Sequence, residues 1–141
     1  MTAKEYLGQA YKLDERIQSQ LEEVSRLRET ATGLSSPTFG DRVQSSPHGD
    51  APFVKAIERI IQFEDKINAE IDLLVALKEQ IHETIETVKD PRERLVLRCR
   101  YIDGNPWKSL AVKLKIDLNT AYRLHRRALE HVALPENPII V

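Results

Sequence analysis

Apolar residues recur near the start of the chain at alternating steps of four and three. This spacing places them on one face of a helix and is typical of coiled coils. One glutamine interrupts the stripe, and no proline falls between residues 3 and 31. A long helix is therefore predicted here, with a seam formed by Tyr6, Ala10, Leu13, Ile17, Gln20, Val24, Leu27 and Ala31.

The same spacing returns from Phe53 to about Lys89. Glu64 and Lys78 occupy two positions of this second seam, and its apolar members are Ile57, Ile60, Ile67, Ile71, Leu74, Ile81, Ile85 and Val88. The fold class predicted for the chain is all-α, and we expect these two helices to fold back on each other as a long antiparallel coiled-coil hairpin.

Residues 32–52 separate the two stripes and differ from both in composition. They contain three of the five glycines and three of the seven prolines of the chain. A loop this long is either flexible or functional in its own right. We interpret it as a mobile connector that folding does not require.

The two apolar stripes are broader than the face that one hairpin covers. Self-association into a four-helix bundle would bury the remainder, most simply as a homodimer, with a tetramer as the alternative. The residues expected to carry this contact are Leu13, Ile17, Ile57, Ile60, Ile67, Ile71, Leu74 and Ile81.

Short helices with clear start and stop signals are predicted after residue 90. Asp90 and Pro91 suit the start of a helix that runs to about Ile102, and Glu93 stands where a capping box places its carboxylate. The segment from Asp103 to Pro106 ends that helix. A second helix is expected over residues 107–114 and a third from residue 118 to about residue 132, with Asp117 as its N-cap. The tail that follows has two prolines and is predicted to be non-helical.

Charge divides the chain at the same point. Residues 1–90 carry 11 Lys+Arg and 17 Asp+Glu, whereas residues 91–132 carry 10 Lys+Arg and 4 Asp+Glu. A basic segment attracts nucleic-acid phosphates through counterion release, and an acidic one repels them. This division predicts a DNA-binding region after residue 90.

Three short helices with a three-residue turn before the last match the helix-turn-helix arrangement, in which the last helix enters the major groove. The residues expected to face inward are Val96, Leu97, Cys99, Leu110, Ala111, Leu114, Ile116, Ala121, Leu124, Ala128 and Val132, with Trp107 as an anchor of the core. Amide, hydroxyl and guanidinium groups suit base edges and phosphates. The predicted DNA-binding residues are therefore Lys108, Lys115, Asn119, Thr120, Tyr122, Arg123, Arg126 and Arg127.

The segment RLVLRCRYIDGNPWKSLAVKLKIDLNTAYRLHRRALEHV resembles region 4 of the sigma-70 class of bacterial sigma factors. The whole chain, including MTAKEYLGQAYKLDERI, is similar to a prophage-encoded family from Gram-positive bacteria. The members of that family are mostly proteins of unknown function or phage transcriptional regulators, and they resemble late-operon activators. The resemblance implies transcription control. Two departures limit it: Lys115 replaces the usual glycine, which implies a strained or slightly opened turn, and Leu118 and Tyr122 replace positions that are often basic in sigma factors.

Nothing in the sequence indicates an enzyme. The four histidines lack metal-ligand spacing, and neither a phosphate-binding glycine loop nor a nucleophile motif occurs, so no catalytic residue, metal, cofactor or small-molecule substrate is expected. No apolar run suggests a signal peptide or a membrane span, and we expect a protein of the bacterial host cytoplasm.

We divide the chain into an oligomerisation arm at residues 1–89, a DNA-binding domain at residues 90–134 and a tail at residues 135–141. The leading hypothesis is a dimeric regulator of phage or prophage genes that binds double-stranded DNA. One alternative is a module that docks on RNA polymerase or another regulator, with weak DNA affinity. A second is a DNA-packaging recognition subunit.

Overall fold

The computed structural model describes the backbone of residues 1–35 and 47–141 and the side chains of residues 1–33 and 52–141. Every regular element in these ranges is helical, which confirms the predicted all-α class. None of the described helices combines the length and the apolar character that a membrane span requires. The elements are α1 at Ala3–Ser35, α2 at Pro47–Glu86, α3 at Pro91–Leu97, a π-helical turn at Arg98–Ile102, α4 at Trp107–Leu114 and α5 at Leu118–His131.

The connector predicted at residues 32–52 is shorter than expected. Helix α1 continues to Ser35, and α2 already begins at Pro47, so the prediction is wrong at both ends. Pro47 suits the first helical position because its fixed φ angle is helical and its missing N–H would have no partner there. The expected mobility of the connector concerns mainly residues 36–46, which lie outside the described residues.

Two compact units make up the chain. The central unit comprises Glu15–Asp72, and the terminal unit comprises Met1–Asp14 together with Leu73–Val141. The terminal unit thus contains the first turns of α1, the end of α2 and all the helices that follow.

The central unit joins segments of α1 and α2 through buried apolar side chains and ion pairs. Arg16 Nε lies 3.2 Å from Glu70 Oε1, and Arg28 pairs with Glu64. In both pairs the earlier residue of α1 meets the later residue of α2, so these segments run in opposite directions. The side chains buried between them are Ile17, Val24, Ala31, Ile60 and Ile67.

The buried stripe of α2 differs from the predicted seam. Ile57 and Ile71, both predicted seam residues, are each 38% exposed. Leu77 is fully buried, whereas its predicted seam neighbour Lys78 is exposed. The prediction was therefore wrong by one position at Lys78, and the lysine lies beside the seam rather than in it. The remaining predicted positions that are buried are Ile60, Ile67, Ile81, Ile85 and Val88.

The start of α1 in the terminal unit is fixed by a capping box that the sequence analysis did not identify. Thr2 Oγ1 accepts a hydrogen bond from the backbone N–H of Glu5 at 3.2 Å, and Glu5 Oε2 accepts one from the Thr2 N–H at 3.0 Å. Two N–H groups that the helix leaves unpaired are thereby satisfied.

The C-terminal tail is non-helical, as predicted, and two glutamine side chains hold its main chain. Gln9 Nε2 donates to the Ile139 carbonyl at 2.8 Å, and Gln9 Oε1 accepts from the Val141 N–H at 3.0 Å. Gln80 likewise donates to the Asn137 carbonyl at 3.0 Å and accepts from the Ile139 N–H at 2.9 Å. The tail is thus attached to the first turns of α1 and the last part of α2.

Candidate nucleic-acid interface

The turn between α4 and α5 consists of Lys115, Ile116 and Asp117, as predicted. Lys115 adopts the left-handed conformation, with φ 58° and ψ 43°. Its N–H donates to the Val112 carbonyl at 3.1 Å, and the Ile116 N–H donates to the Ala111 carbonyl at 3.0 Å. These hydrogen bonds close the turn, so the lysine that replaces glycine causes backbone strain rather than an open turn.

Asp117 begins α5 as its N-cap, which confirms the prediction. Its Oδ1 accepts a hydrogen bond from the Thr120 N–H at 3.3 Å. Hydrogen bonding from the Thr120 side chain, more than the charge of Arg123, lowers the pKa of the Asp117 carboxyl. Thr120 therefore serves the helix cap, and its half-buried side chain is less accessible than we expected of a DNA contact.

One face of α5 packs against α3 and α4. Val96 and Cys99 meet residues of α4 and α5 in one apolar core, against which Trp107, Leu114 and Ile116 pack. Burial raises the pKa of the Cys99 thiol, in keeping with a core role. The buried side chains of α5 are Ala121, Leu124, His125 and Ala128.

The opposite face of α5 is exposed and basic. Arg123, Arg126 and Arg127 are exposed there, as is Asn119 near the start of the helix. Lys108 on α4 and Lys115 in the turn are exposed as well. None of these five cations forms an ion pair or a side-chain hydrogen bond with another described residue. We call Lys108, Lys115, Arg123, Arg126 and Arg127 the basic face.

Other cations of residues 91–132 are engaged within the chain. Arg94 donates to the carbonyls of Val88 at 2.6 Å and Lys89 at 3.0 Å. Arg98 pairs with Glu86. Lys113, in turn, lies 3.4 Å from Asp103 Oδ2, and Arg100 donates to the Asn105 carbonyl at 3.1 Å. These cations have ion-pair or hydrogen-bond partners within the chain, which distinguishes them from the basic face.

An aromatic cluster lies beside the basic face. The ring of Trp107 is 5.0 Å from that of Tyr122 and 4.7 Å from that of His125, both edge-on. The Arg100 guanidinium lies 4.8 Å from the centre of the Trp107 ring. Trp107 thus acts as the core anchor that we expected, and Tyr122, predicted to contact DNA, is 39% exposed at the edge of this cluster.

His125 is buried, although the sequence analysis assigned it no structural role. Its Nε2 lies 2.6 Å from the Tyr101 hydroxyl oxygen. Burial, followed by the nearby charges of Lys4 and Arg100, lowers the pKa of His125 to about 4. The ring is therefore neutral at ordinary pH. The only sequence signal was its position four residues after the buried Ala121.

The eight residues predicted for self-association differ in their exposure. Leu74 is half-buried, and only Ile57 and Ile71 are exposed. The other five are already buried within the chain, and a second copy cannot reach them: Leu13, Ile17, Ile60, Ile67 and Ile81. The predicted seam residues therefore pack mainly within one chain, and few of them remain for contact with a second copy.

No group of three or more His, Cys, Asp or Glu side chains that could hold a metal ion occurs among the described residues. A family model described as "Protein of unknown function (DUF1492)" matches residues 34–133. The match includes all of α2 to α5 and ends shortly after the basic face. Comparisons with curated proteins and with solved structures gave no match.

Proposed function

The chain belongs to the DUF1492 family of proteins of unknown function, and we propose that it binds double-stranded DNA sequence-specifically and regulates transcription. In this proposal α4, the three-residue turn and α5 form a helix-turn-helix motif, and α5 is the recognition helix. The predicted arm of α1 and α2 folds as an antiparallel coiled-coil hairpin that brings two such motifs together.

The basic face is the observation that carries this proposal. Five exposed cations lie on α4, the turn and α5, and none of them forms an ion pair or a side-chain hydrogen bond with another described residue. Exposed cations on one surface cost free energy through mutual repulsion, and phosphates relieve that repulsion while releasing counterions. The basic face therefore has cations available for DNA phosphates, whereas the neighbouring cations are paired within the fold.

Position along α5 suggests how DNA sequence is read. Asn119 and Arg123 are one turn apart, near the N-terminal end that enters the major groove in this motif. Amide and guanidinium groups there can make bidentate hydrogen bonds to base edges. Arg126 and Arg127 lie further along the helix, where phosphate contacts are expected.

The resemblance to region 4 of sigma factors and to phage regulators supports transcription as the process and phage or prophage genes as the target. The three-residue turn and the capped start of α5 agree with that resemblance. Promoter recognition in the manner of sigma factors does not follow, because Leu118 and Tyr122 depart from the basic residues often present at their positions.

Exposed apolar side chains support a dimer. Val54, Ile57 and Ile61 follow one another on α2 at steps of three and four and are 48%, 38% and 52% exposed. Leu21 and Ile71 line a groove of about 340 Å³ between α1 and α2 in the central unit. Burial of these five residues against a second copy would stabilise the dimer through removal of apolar surface from water.

Duplex binding by the full chain, measured as fluorescence anisotropy over a range of salt concentrations, tests the proposed function. Arg123→Ala should weaken binding to the selected sequence by about 1–3 kcal/mol and relax its sequence preference. Arg126→Ala and Arg127→Ala should each weaken binding to all sequences and lower the salt slope by about one.

Arg26→Ala is the matched control, because Arg26 is an exposed arginine on α1 outside the basic face. It should leave affinity and salt slope unchanged. Equal effects of all four substitutions would show that only net charge matters, and absence of salt-dependent binding to any duplex would contradict the proposal.

A protein-docking function is the second candidate, and exposed apolar residues on α3 and α4 favour it. Val112 on α4 is 79% exposed, and Leu95 on α3 is 43% exposed. If the intact chain captures purified RNA polymerase but binds no duplex, and if Val112→Ser abolishes that capture, docking replaces DNA binding as the function.

A further inference from the structure

A wide cleft of about 1110 Å³ opens in the terminal unit between the first turns of α1 and the C-terminal helices. Residues of α1, α2, the π-helical turn and α5 contribute to its walls. Only Tyr122 and Arg126 among its lining residues also belong to the predicted DNA contacts. The remainder of the cleft has no role in the proposed function.

Aromatic rings line one part of the cleft. Trp107 and Tyr122 meet there, with Tyr101 and His125 beside them at a ring separation of 5.6 Å. Tyr11 of α1 also lines the cleft and is 64% exposed. The exposed rings in the lining are those of Tyr11 and Tyr122. Exposed aromatic faces stack on planar rings, and each stacked base contributes about 1–3 kcal/mol in nucleic-acid complexes.

Cations outnumber acids in the lining. The cations are Lys4, Lys12, Lys78, Arg100 and Arg126, and the acids are Glu5, Asp14 and Asp103. Two of the acids are engaged elsewhere, because Glu5 caps α1 and Asp103 pairs with Lys113 outside the cleft. The cleft therefore presents a net positive charge.

Two of these cations converge on the aromatic part of the cleft. Arg100 lies over Trp107, and the charges of both Lys4 and Arg100 act on His125. Because His125 is neutral, it adds no charge there. Two positive charges thus lie beside the aromatic part of the cleft.

We propose that this cleft binds a free nucleotide, with its base against the aromatic rings and its phosphates on Lys4 and the neighbouring cations. Guanidinium and ammonium groups are the usual protein partners of phosphate oxygens. Occupancy of the cleft should change the affinity for DNA, because Tyr122 and Arg126 line the cleft and are also predicted DNA contacts. This coupling rests on the proposed function, whereas nucleotide binding does not.

Intrinsic fluorescence of the full chain provides a specific test, because Trp107 is the single tryptophan. Titration with ATP, GTP, CTP or UTP without DNA should change this fluorescence in a saturable way. Adenosine and tripolyphosphate, which each supply half of the ligand, should bind at least about tenfold more weakly than ATP.

Two lysine substitutions separate this proposal from the proposed function. Lys4→Gln, in the cleft but outside the basic face, should raise the ATP dissociation constant about tenfold and leave duplex binding unchanged. Lys108→Gln, on the basic face but outside the cleft, should weaken duplex binding and leave the ATP titration unchanged. Lys66→Gln on α2 is the control for both measurements, because Lys66 is exposed in the central unit.

Three results would overturn the nucleotide proposal. One is the absence of a saturable fluorescence change with all four nucleotides. A second is equal affinity for tripolyphosphate and ATP, which would leave only an anion site. A third is a response to a single-stranded oligonucleotide without one to ATP, which would assign the cleft to unpaired DNA.

Discussion

His131 at the end of α5 is hydrogen-bonded to Glu93 in the first turn of α3. Its Nδ1 lies 2.8 Å and 2.9 Å from the two carboxylate oxygens. A carboxylate only accepts hydrogen bonds, so Nδ1 carries the proton in this pair. The pair attaches the last turn of the proposed recognition helix to α3, 38 residues earlier. It also explains why Glu93, which was expected to complete a capping box, is instead buried against α5.

Loss of this pair should destabilise the fold. His131→Ala leaves the carboxylate of Glu93, which is 3% exposed, without its partner. We expect a decrease in the free energy of unfolding of about 2 kcal/mol, because an unpaired buried carboxylate retains its desolvation cost. Urea denaturation followed by circular dichroism measures it. His82→Ala, at an exposed histidine on α2, should change stability by less than about 0.5 kcal/mol.

Stability should decrease in acid because of His125. Its pKa is lowered from 6.5 to about 4, so the unfolded chain binds this proton at a higher pH than the folded chain does. The contribution is therefore complete above pH 6.5, is lost as the pH falls from 6.5 towards 4, and is constant below that. We expect a loss of about 2 kcal/mol across this window.

Urea denaturation at a series of pH values measures the loss. His125→Asn removes the titrating ring, so the part of the pH dependence that belongs to this window should disappear. His82→Gln should retain it. An unchanged pH profile in the Asn variant would assign the loss to another group.

Replacement of Lys115 should separate stability from DNA binding. Glycine adopts the left-handed conformation without the clash that a Cβ atom causes, so Lys115→Gly should stabilise the protein by about 1 kcal/mol. The same change removes one cation of the basic face and should lower the salt slope of duplex binding by about one. Lys115→Ala, which loses the charge but keeps the Cβ atom, should lower the slope without the gain in stability.

Exposed and buried positions of α2 should respond differently to charge. Ile57→Lys and Ile71→Lys should dissociate the proposed dimer while leaving the helical content of the chain nearly unchanged, because both side chains are partly in water. Ile67→Lys, by contrast, should unfold the central unit, since Ile67 is 3% exposed and a buried unpaired charge is costly. Sedimentation at micromolar concentration, together with circular dichroism, distinguishes these results. A wild-type chain that sediments only as a monomer would contradict the proposed dimer.

Local sequence signals were sufficient for the boundaries around the basic face. The bounds of α4, the three-residue turn and the cap at Asp117 were all predicted, because each depends on residues within one helical turn. The same helical periodicity predicted that Arg123 is exposed, because Ala121 and Leu124 lie on the buried face of α5 and Arg123 does not. What these residues bind is a separate question, which the DNA titrations address.

Contacts between residues that are far apart in the chain could not be predicted from the sequence. The sequence does not show that His125 is buried, because its contacts with Tyr101 and Trp107 depend on the tertiary fold. In the same way, the position of Glu93 suits a capping box, and only the fold shows that Glu93 pairs with His131. The seam of α2 was ambiguous because Ile71 and Leu77 are equally apolar, and only packing within the chain decides which is buried. The π-helical turn at Arg98–Ile102 has no proline or glycine to mark it.

The contacts of the C-terminal tail impose an order on biosynthesis. Gln9 and Ile139 are 130 residues apart, yet they are hydrogen-bonded to each other. A ribosome produces residues 15–72 as one uninterrupted stretch, so the central unit can pack while translation continues. The terminal unit cannot complete its packing until the tail residues have been made, and incomplete packing exposes apolar surface such as that of Tyr6 and Leu7, which are fully buried in the folded unit. Translation speed and chaperone supply thus bear more heavily on the terminal unit, which carries the basic face, than on the central one.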